Sequence, residues 1–298
     1  MAEAISKEEE KYYMWPETIW INKDINWEDA EIITAGVDLG SVSTQFVIMT
    51  DGELFAYINT RTKTSAIRSA EESMNRLLEK VGMKREDIHY IISTGYGRVS
   101  VPFADRSVTE IACHARGANF FYGPSVRTIV DMGGQDLKVI RCDERGKVVN
   151  FVMNDKCAAG TGRGVETVCQ LLKVPITKVG ELSLQVEKEP EPISSTCVVF
   201  AKSEILNLIR EGKSTNEILA AFFNAMSDRV VELMERVGIE PELGITGGLS
   251  KNVGLVKRIE RKIGREFLKP NFDTQIAGAV GAALFAKALY EKKVKGKK

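Results

Sequence analysis

Histidine is nearly missing from this 298-residue chain, which carries only His89 and His114. A histidine-built metal centre or a nucleophilic triad is therefore hard to assemble. Neither sign of charge is in excess, because 41 Lys and Arg balance 41 Asp and Glu. That balance removes the global field by which nucleic acid or an anionic membrane is attracted. No apolar run approaches the roughly 20 residues of a bilayer span, and the charged opening MAEAISKEEEKYY lacks the apolar stretch of a secretory signal. A cytoplasmic protein is expected, with no nucleic-acid or membrane partner. There is no C-x-x-C, and the five cysteines (Cys113, Cys142, Cys157, Cys169, Cys197) form an odd set. In a reducing compartment they do not make a disulfide framework. The P-loop pattern G-x-x-x-x-G-K-[ST] is absent, and so is G-x-G-x-x-G after the first strand, which argues against P-loop and dinucleotide-binding folds.

What is present is an ordinary globular composition, 44% hydrophobic and 28% charged, in a chain long enough for two lobes. From Ile32 onward the pattern alternates strand and helix. ITAGVDLG predicts a buried strand ending in a glycine turn, and QFVIMTDGELFAYINT a hairpin turned at Asp51-Gly52. Helices are predicted near 66–81, 107–120, 161–172, 198–211, 215–237, 251–264 and 276–292, with strands at 88–94 and at LGIT (243–246). The segment EKEPEPISS predicts a proline-bearing surface loop. Asp38-Leu-Gly and Asp131-Met-Gly-Gly use one device twice, about 93 residues apart, as in two related lobes flanking a cleft. Residues 1–31 stand outside the alternation and hold all three tryptophans, Trp15, Trp20 and Trp27. That arm either packs on its own domain or docks on a partner subunit.

Three segments place glycines directly after an apolar strand: GVDLGSVST (36–44), VDMGGQD (130–136) and GITGGLSKN (244–252). Glycine lets a backbone approach phosphate oxygens and present N–H donors. A strand-end aspartate can hold Mg²⁺ directly or through its waters. Any one such segment is common; their order and spacing together point to a nucleotide cleft.

The three segments resemble the phosphate-1, phosphate-2 and adenosine motifs of the actin-like (acetate/sugar kinase, heat-shock protein, actin) ATPase superfamily. Together with STGYGR (93–98), NDKCAAGTGR (154–163) and STCVVFAKSE (195–204), they resemble more narrowly the benzoyl-CoA reductase and 2-hydroxyacyl-CoA dehydratase activator ATPase family, from about Ile32 to Lys287. The resemblance implies an α/β fold of two duplicated βα lobes around the cleft. Lobe I would be 32–123 plus 275–293, and lobe II 124–274, carrying the cluster cysteines. It implies ATP/ADP and Mg²⁺, with Asp38 near the metal and Gly40, Ser41, Ser43 and Thr44 near the β/γ-phosphates. Asp131, Gly133 and Gly134 would form the second phosphate loop, and Gly247 and Gly248 would face the adenosine. Gln135 is the candidate for orienting the attacking water, because phosphoryl transfer needs positioning and charge neutralisation above all. Gln45 stands where many members of the family carry lysine.

Cys157 and Cys197 both precede predicted helices, where the helix dipole favours thiolate. On spacing alone, two cysteines 40 residues apart are usually buried hydrophobes. The family resemblance makes them ligands of a [4Fe–4S] cluster. Four thiolates complete such a cluster, so two per chain imply one shared with a paralogous or identical ATPase subunit. The remaining cysteines and His114 are expected to be structural.

The resemblance further implies cluster-containing acyl-CoA-binding catalytic partners and reduced ferredoxin or flavodoxin as electron donor. The arm and Gln45 favour an ATPase subunit of benzoyl-CoA reductase, with the homodimeric activator of a 2-hydroxyacyl-CoA dehydratase as the alternative. From another class, a sugar kinase such as N-acetylglucosamine kinase would use the same cleft and leave Cys157 and Cys197 without a redox role.

Overall fold

Strand β3 (Ile33–Leu39) is buried at all seven positions, as an interior strand covered on both faces must be. It pairs antiparallel with β4 (Ser43–Thr50), which turns into β5 (Glu53–Arg61) through Asp51 and Gly52. Both turn residues have positive φ, 52° and 96°, the geometry that matches strand twist in a two-residue hairpin. On its other side β3 runs parallel to β6 (Tyr90–Thr94). The computed structural model describes residues 3–4, 12–154, 161–194 and 198–296. Within them sheet 1 also contains β1 (Glu3–Ala4), β2 (Thr18–Ile21) and β7 (Arg106–Ser107), in the order β1-β2-β5-β4-β3-β6-β7.

Sheet 2 repeats the plan with β8 (Thr128–Met132), β9 (Leu137–Cys142), β10 (Val148–Asn154) and β11 (Leu243–Thr246), ordered β10-β9-β8-β11. The antiparallel meander β8-β9-β10 corresponds to β3-β4-β5, and parallel β11 corresponds to β6. The repeat suspected from two Asp-x-Gly turns is thus a repeat of whole sheets.

Helix α1 (Ala66–Val81) covers one face of sheet 1, started by the Ser65 hydroxyl accepting from the Arg68 N–H and stopped at Gly82 with φ 70°. Helices α3 (Gly162–Leu172), α4 (Ile176–Ser183), α5 (Val198–Arg210), α6 (Thr215–Val237) and α7 (Val253–Ile263) share the hydrophobic core of sheet 2. Between the sheets lie α2 (Glu110–Tyr122) and α8 (Ala277–Lys295). Ala115 and Ala118 of α2 pack on Ile129 and Ile140 of sheet 2, while Ala279 and Ala283 of α8 pack among Val47, Met49 and Tyr57 of sheet 1. The two helices meet backbone to backbone. A Cβ at Gly117 would lie 1.9 Å from the Ala277 carbonyl, and one at Gly281 would lie 1.9 Å from the Cys113 carbonyl. Glycine is the residue that allows this approach.

The sequence pattern anticipates the longer elements to within a few residues at their ends, with two omissions besides the two-residue strands β1 and β7. Helix α4 escapes the pattern because it follows Pro175 and contains Gly180, both of which weaken a helical signal. Strand β2 escapes it because TIWI is short and follows Pro16. It pairs antiparallel with β5, from Thr18 opposite Asn59 to Ile21 opposite Ala56, so this part of the arm belongs to sheet 1. Among the described residues no helix is long and apolar enough to cross a membrane.

Candidate functional site

The two sheets deliver two aspartates in the same way. Asp38, next to last in β3, sits opposite Gln45 of β4 and Thr94 of β6. Asp131, next to last in β8, sits opposite Lys138 of β9 and Thr246 of β11. Both strands end towards a cleft of about 960 Å³, its open mouth included. Asp38, Gly40, Ser41 and Ser43 line it from one lobe, and Asp131, Gly133, Gly134 and Gln135 from the other, with Gly247 and Gly248 behind β11. The two glycine turns touch, since a Cβ at Gly134 would fall 2.4 Å from Val42 Cγ2.

Thr44 departs from the expectation. It is fully buried, its hydroxyl lies 2.8 Å from that of Thr62, and it does not line the cleft. Successive side chains of a strand point to opposite faces, so Ser43 and Gln45 reach the cleft and Thr44 between them cannot. Gln45 donates to Ser43 Oγ and to Asn59 Oδ1, both at 2.8 Å. It is the counterpart, by ladder position, of Lys138. Cys157 and Cys197 lie outside the described residues.

The residue that sequence reasoning most undervalued is His114. Expected as packing, it bridges the lobes, with Nδ1 3.2 Å from Asp131 Oδ1 and Nε2 3.6 Å from Asp38 Oδ2. Gly278 of α8 makes room for this contact, because a Cβ there would lie 2.1 Å from Asp38 Oδ2 and 2.9 Å from His114 Nε2. Burial opposes a charged imidazole, but the Asp131 carboxylate, followed by Asp38, outweighs it and raises His114 to about 9. Asp131 in turn is held below the usual carboxylate range despite burial, by His114 and Lys138. Lys138 is buried and lies 3.4 Å from Asp131, 2.7 Å from Asp136 and 3.9 Å from Glu110. Burial would discharge it, and these carboxylates keep it a cation. Burial also raises Glu110, against the pull of Lys138. A lysine inside the apolar strand LKVIRC was the available signal for this network; nothing local marked His114.

A histidine raised on folding stabilises the protein below its ordinary pKa of 6.5 and loses that contribution as pH rises through about 9. The nucleotide-free protein in chelator should therefore lose about 3 kcal/mol between pH 6.5 and 9.5, measured by urea unfolding at each pH. His114→Gln should flatten that slope; an unchanged slope would remove His114 as its source.

The second glycine turn is tied to α3. The N–H groups of Gly162 and Arg163 donate to the carbonyls of Gly133 and Gly134 at 3.0 and 2.9 Å. These are first-turn donors that a helix cannot satisfy internally. Further along α3, Glu166 forms a two-pronged pair with Arg61 of β5, through Oε1 to Nη1 and through Oε2 to Nη2, the latter at 2.9 Å. Arg61 and Glu166 both line the cleft, so α3 is bonded to the second turn on one side and to sheet 1 on the other.

Cys113, Cys142 and Cys169 are free and buried, and burial pushes their thiols up to about 12, 11 and 12. Such thiols are packing groups, as expected.

Residues 35–286 match the BadF/BadG/BcrA/BcrD ATPase family. The chain is 38% identical over 253 residues to the 2-hydroxyisocaproyl-CoA dehydratase activator of Clostridioides difficile, across 85% of this chain and 94% of that protein. It is 39% identical over 256 residues to the (R)-2-hydroxyglutaryl-CoA dehydratase activating ATPase of Acidaminococcus fermentans, across 86% and 97%. A benzoyl-CoA reductase subunit of Thauera aromatica is 33% identical over 270 residues, across 87% and 95%. Two solved structures share the fold. The (R)-2-hydroxyglutaryl-CoA dehydratase component from A. fermentans matches with TM-score 0.82 at 38% identity, covering 88% of this chain and all of that one. The C. difficile activator with bound ADPNP matches with TM-score 0.83 at 36% identity, covering 90% and 98%. The actin-like α/β ATPase fold implied by the family resemblance is the fold observed.

Proposed function

Because this chain belongs to the BadF/BadG/BcrA/BcrD ATPase family, we propose that it is an ATP-hydrolysing activator of the dehydratase-activator type, serving a partner enzyme that acts on an acyl-CoA. The observation that carries the reading is the pairing of Asp38 and Asp131 across the cleft, with glycine turns beside both and α3 bonded to the second turn. The carboxylates fit Mg²⁺ held directly or through its waters, and the close backbone approach that the glycine turns allow fits phosphate oxygens. Gly40, Ser41 and Ser43 would take one side of the phosphates and Gly133 and Gly134 the other, with Gly247 and Gly248 towards the adenosine. Gln135, exposed at the cleft, would orient the attacking water. His114 holds the two carboxylates at a fixed separation before nucleotide arrives.

In this reading lobe I is 32–123 with 275–293 and lobe II is 124–274. Cys157 and Cys197, two ligands per chain, would hold a [4Fe–4S] cluster shared with a second ATPase subunit, a group that when bound would supply low-potential electron transfer towards the acyl-CoA enzyme. The turn at Gly133-Gly134 supports coupling, because α3 starts five residues after Cys157 and its first N–H groups are bound to that turn. A phosphate that moves the turn would move α3 with it.

Cys157→Ser should abolish the iron–sulfur absorbance of the anaerobically purified protein while leaving ADP binding unchanged. A full cluster in that variant would falsify the ligand assignment. The identities of 38 and 39% to dehydratase activators favour this reading over a benzoyl-CoA reductase subunit, which rests on 33% identity to the T. aromatica protein. A subunit inventory separates them. A free homodimer supports the activator, and stable co-purification with catalytic subunits supports the reductase.

A further inference from the structure

The cleft has two chemically different ends. One is the aspartate and glycine-turn end. The other is more apolar: Ile176, Leu249, Gly247 and Gly248 line it together with Trp15, which packs against the hydrophobic core that includes Ile176 and Leu249. Trp15 Cδ1 lies 3.8 Å from where a Cβ on Gly248 would stand. Lys251 Nζ lies 6.0 Å from the centre of the Trp15 ring and is held by Asp273 at 3.0 Å and Gln275 at 2.9 Å.

The arm that carries Trp15 is fixed to both lobes. On the sheet 1 side, β2 pairs with β5, and Glu17 accepts from the Arg61 N–H at 2.9 Å and pairs with Arg76 at 3.1 Å. On the other side the Tyr12 carbonyl accepts from the Ile176 N–H at 2.7 Å, and Tyr13 and Trp15 pack against the sheet 2 core. The family match begins only at residue 35. A wall of the cleft is thus built by a segment outside the shared ATPase core.

We propose that Trp15 is a nucleobase-binding residue, its indole packing against the purine ring of bound ADP or ATP beside the Gly247-Gly248 turn. This rests on the reading of the cleft as a nucleotide site. A nucleotide is anionic at one end and flat and weakly polar at the other, so its phosphates belong with the glycine turns and its base with the apolar end. Aromatic rings stack on bases of any identity, and purines offer more face to cover. The arm so placed makes affinity depend on the base in a way the shared core does not require.

The test is calorimetry on the full-length chain with Mg²⁺, using ADP and inorganic pyrophosphate as probes. Trp15→Ala should weaken ADP about tenfold or more while pyrophosphate binding stays within about twofold; Trp15→Phe should recover most of the ADP affinity. In a Trp20→Phe/Trp27→Phe chain, the remaining Trp15 emission should change on adding ADP and not on adding pyrophosphate. Unchanged ADP affinity with unchanged emission overturns the proposal. Equal weakening of both probes makes the arm a mechanical strap, and tighter ADP binding means that the indole occupies the place of the base; either result also overturns it. A wild-type chain that binds neither probe removes the nucleotide reading itself, and this inference with it.

Discussion

Asp131→Ala should destabilise the protein by about 3 kcal/mol and eliminate ATP hydrolysis in the same step. Asp131 is almost wholly buried and accepts from Thr246 Oγ1 at 2.8 Å while facing His114 and Lys138. Removing one member of a buried ion network leaves its partners desolvated and uncompensated, which typically costs about 3–5 kcal/mol. The lower end applies here for two reasons. Lys138 keeps Asp136 at 2.7 Å, and His114 can shed its proton once its main carboxylate is gone. The kinetic loss has a separate origin, because the Gly133-Gly134 turn, proposed to hold phosphate, would lose the carboxylate at its base. Urea unfolding gives the first quantity and phosphate release the second. A stability loss below about 1 kcal/mol would mean that Asp136 and Glu110 suffice to hold Lys138.

Gln135→Ala should lower kcat by about a hundredfold or more and leave both ADP affinity and unfolding free energy near wild type. Its side chain is exposed on the cleft wall, next to Asp136 and outside the buried network, so truncation removes no packing. What it removes is a polar group beside the expected γ-phosphate position. Losing one preorganised polar contact in a transition state typically costs about 10²–10³ in rate. The expected pattern is a kcat effect without a binding effect, the mark of an interaction made in the transition state. Steady-state hydrolysis and ADP calorimetry on one preparation would show it. A variant with unaltered kcat would return Gln135 to the role of a turn residue and leave water positioning to another group.

These two residues differ in how far they could be read from the chain. Gln135 was accessible because it follows a strand and a pair of glycines, a local signal. Asp131 was accessible as a strand-end aspartate, but its network was not. Nothing in the segment EIACHARGANF tells that His114 reaches both Asp38 and Asp131, since that depends on α2 and α8 meeting through Gly117 and Gly281. The same limit applies to Thr44. STQFVIMT reads as a strand without an alternating pattern, and only the sheet sets its phase, so that Ser43 faces the cleft and Thr44 faces Thr62. Identity to dehydratase activators then altered the choice of partner that the arm and Gln45 had favoured.

By itself the sequence determined the things that depend on near neighbours: two strand–aspartate–glycine turns, the hairpins beside them, most of the helices, and the family motifs. Hydrophobic period and glycine placement act over a few residues, so they can be read without the fold. Tertiary structure alone decided the contacts that join distant segments. Arg61 meets Glu166 across 105 residues, and Thr246 reaches Asp131 across 115. Trp15 is carried onto the turn at Gly248 by a strand of its own arm. Such pairs form only after two lobes have packed around α2 and α8, and it is there that desolvation and ion pairing become strong enough to set charge states.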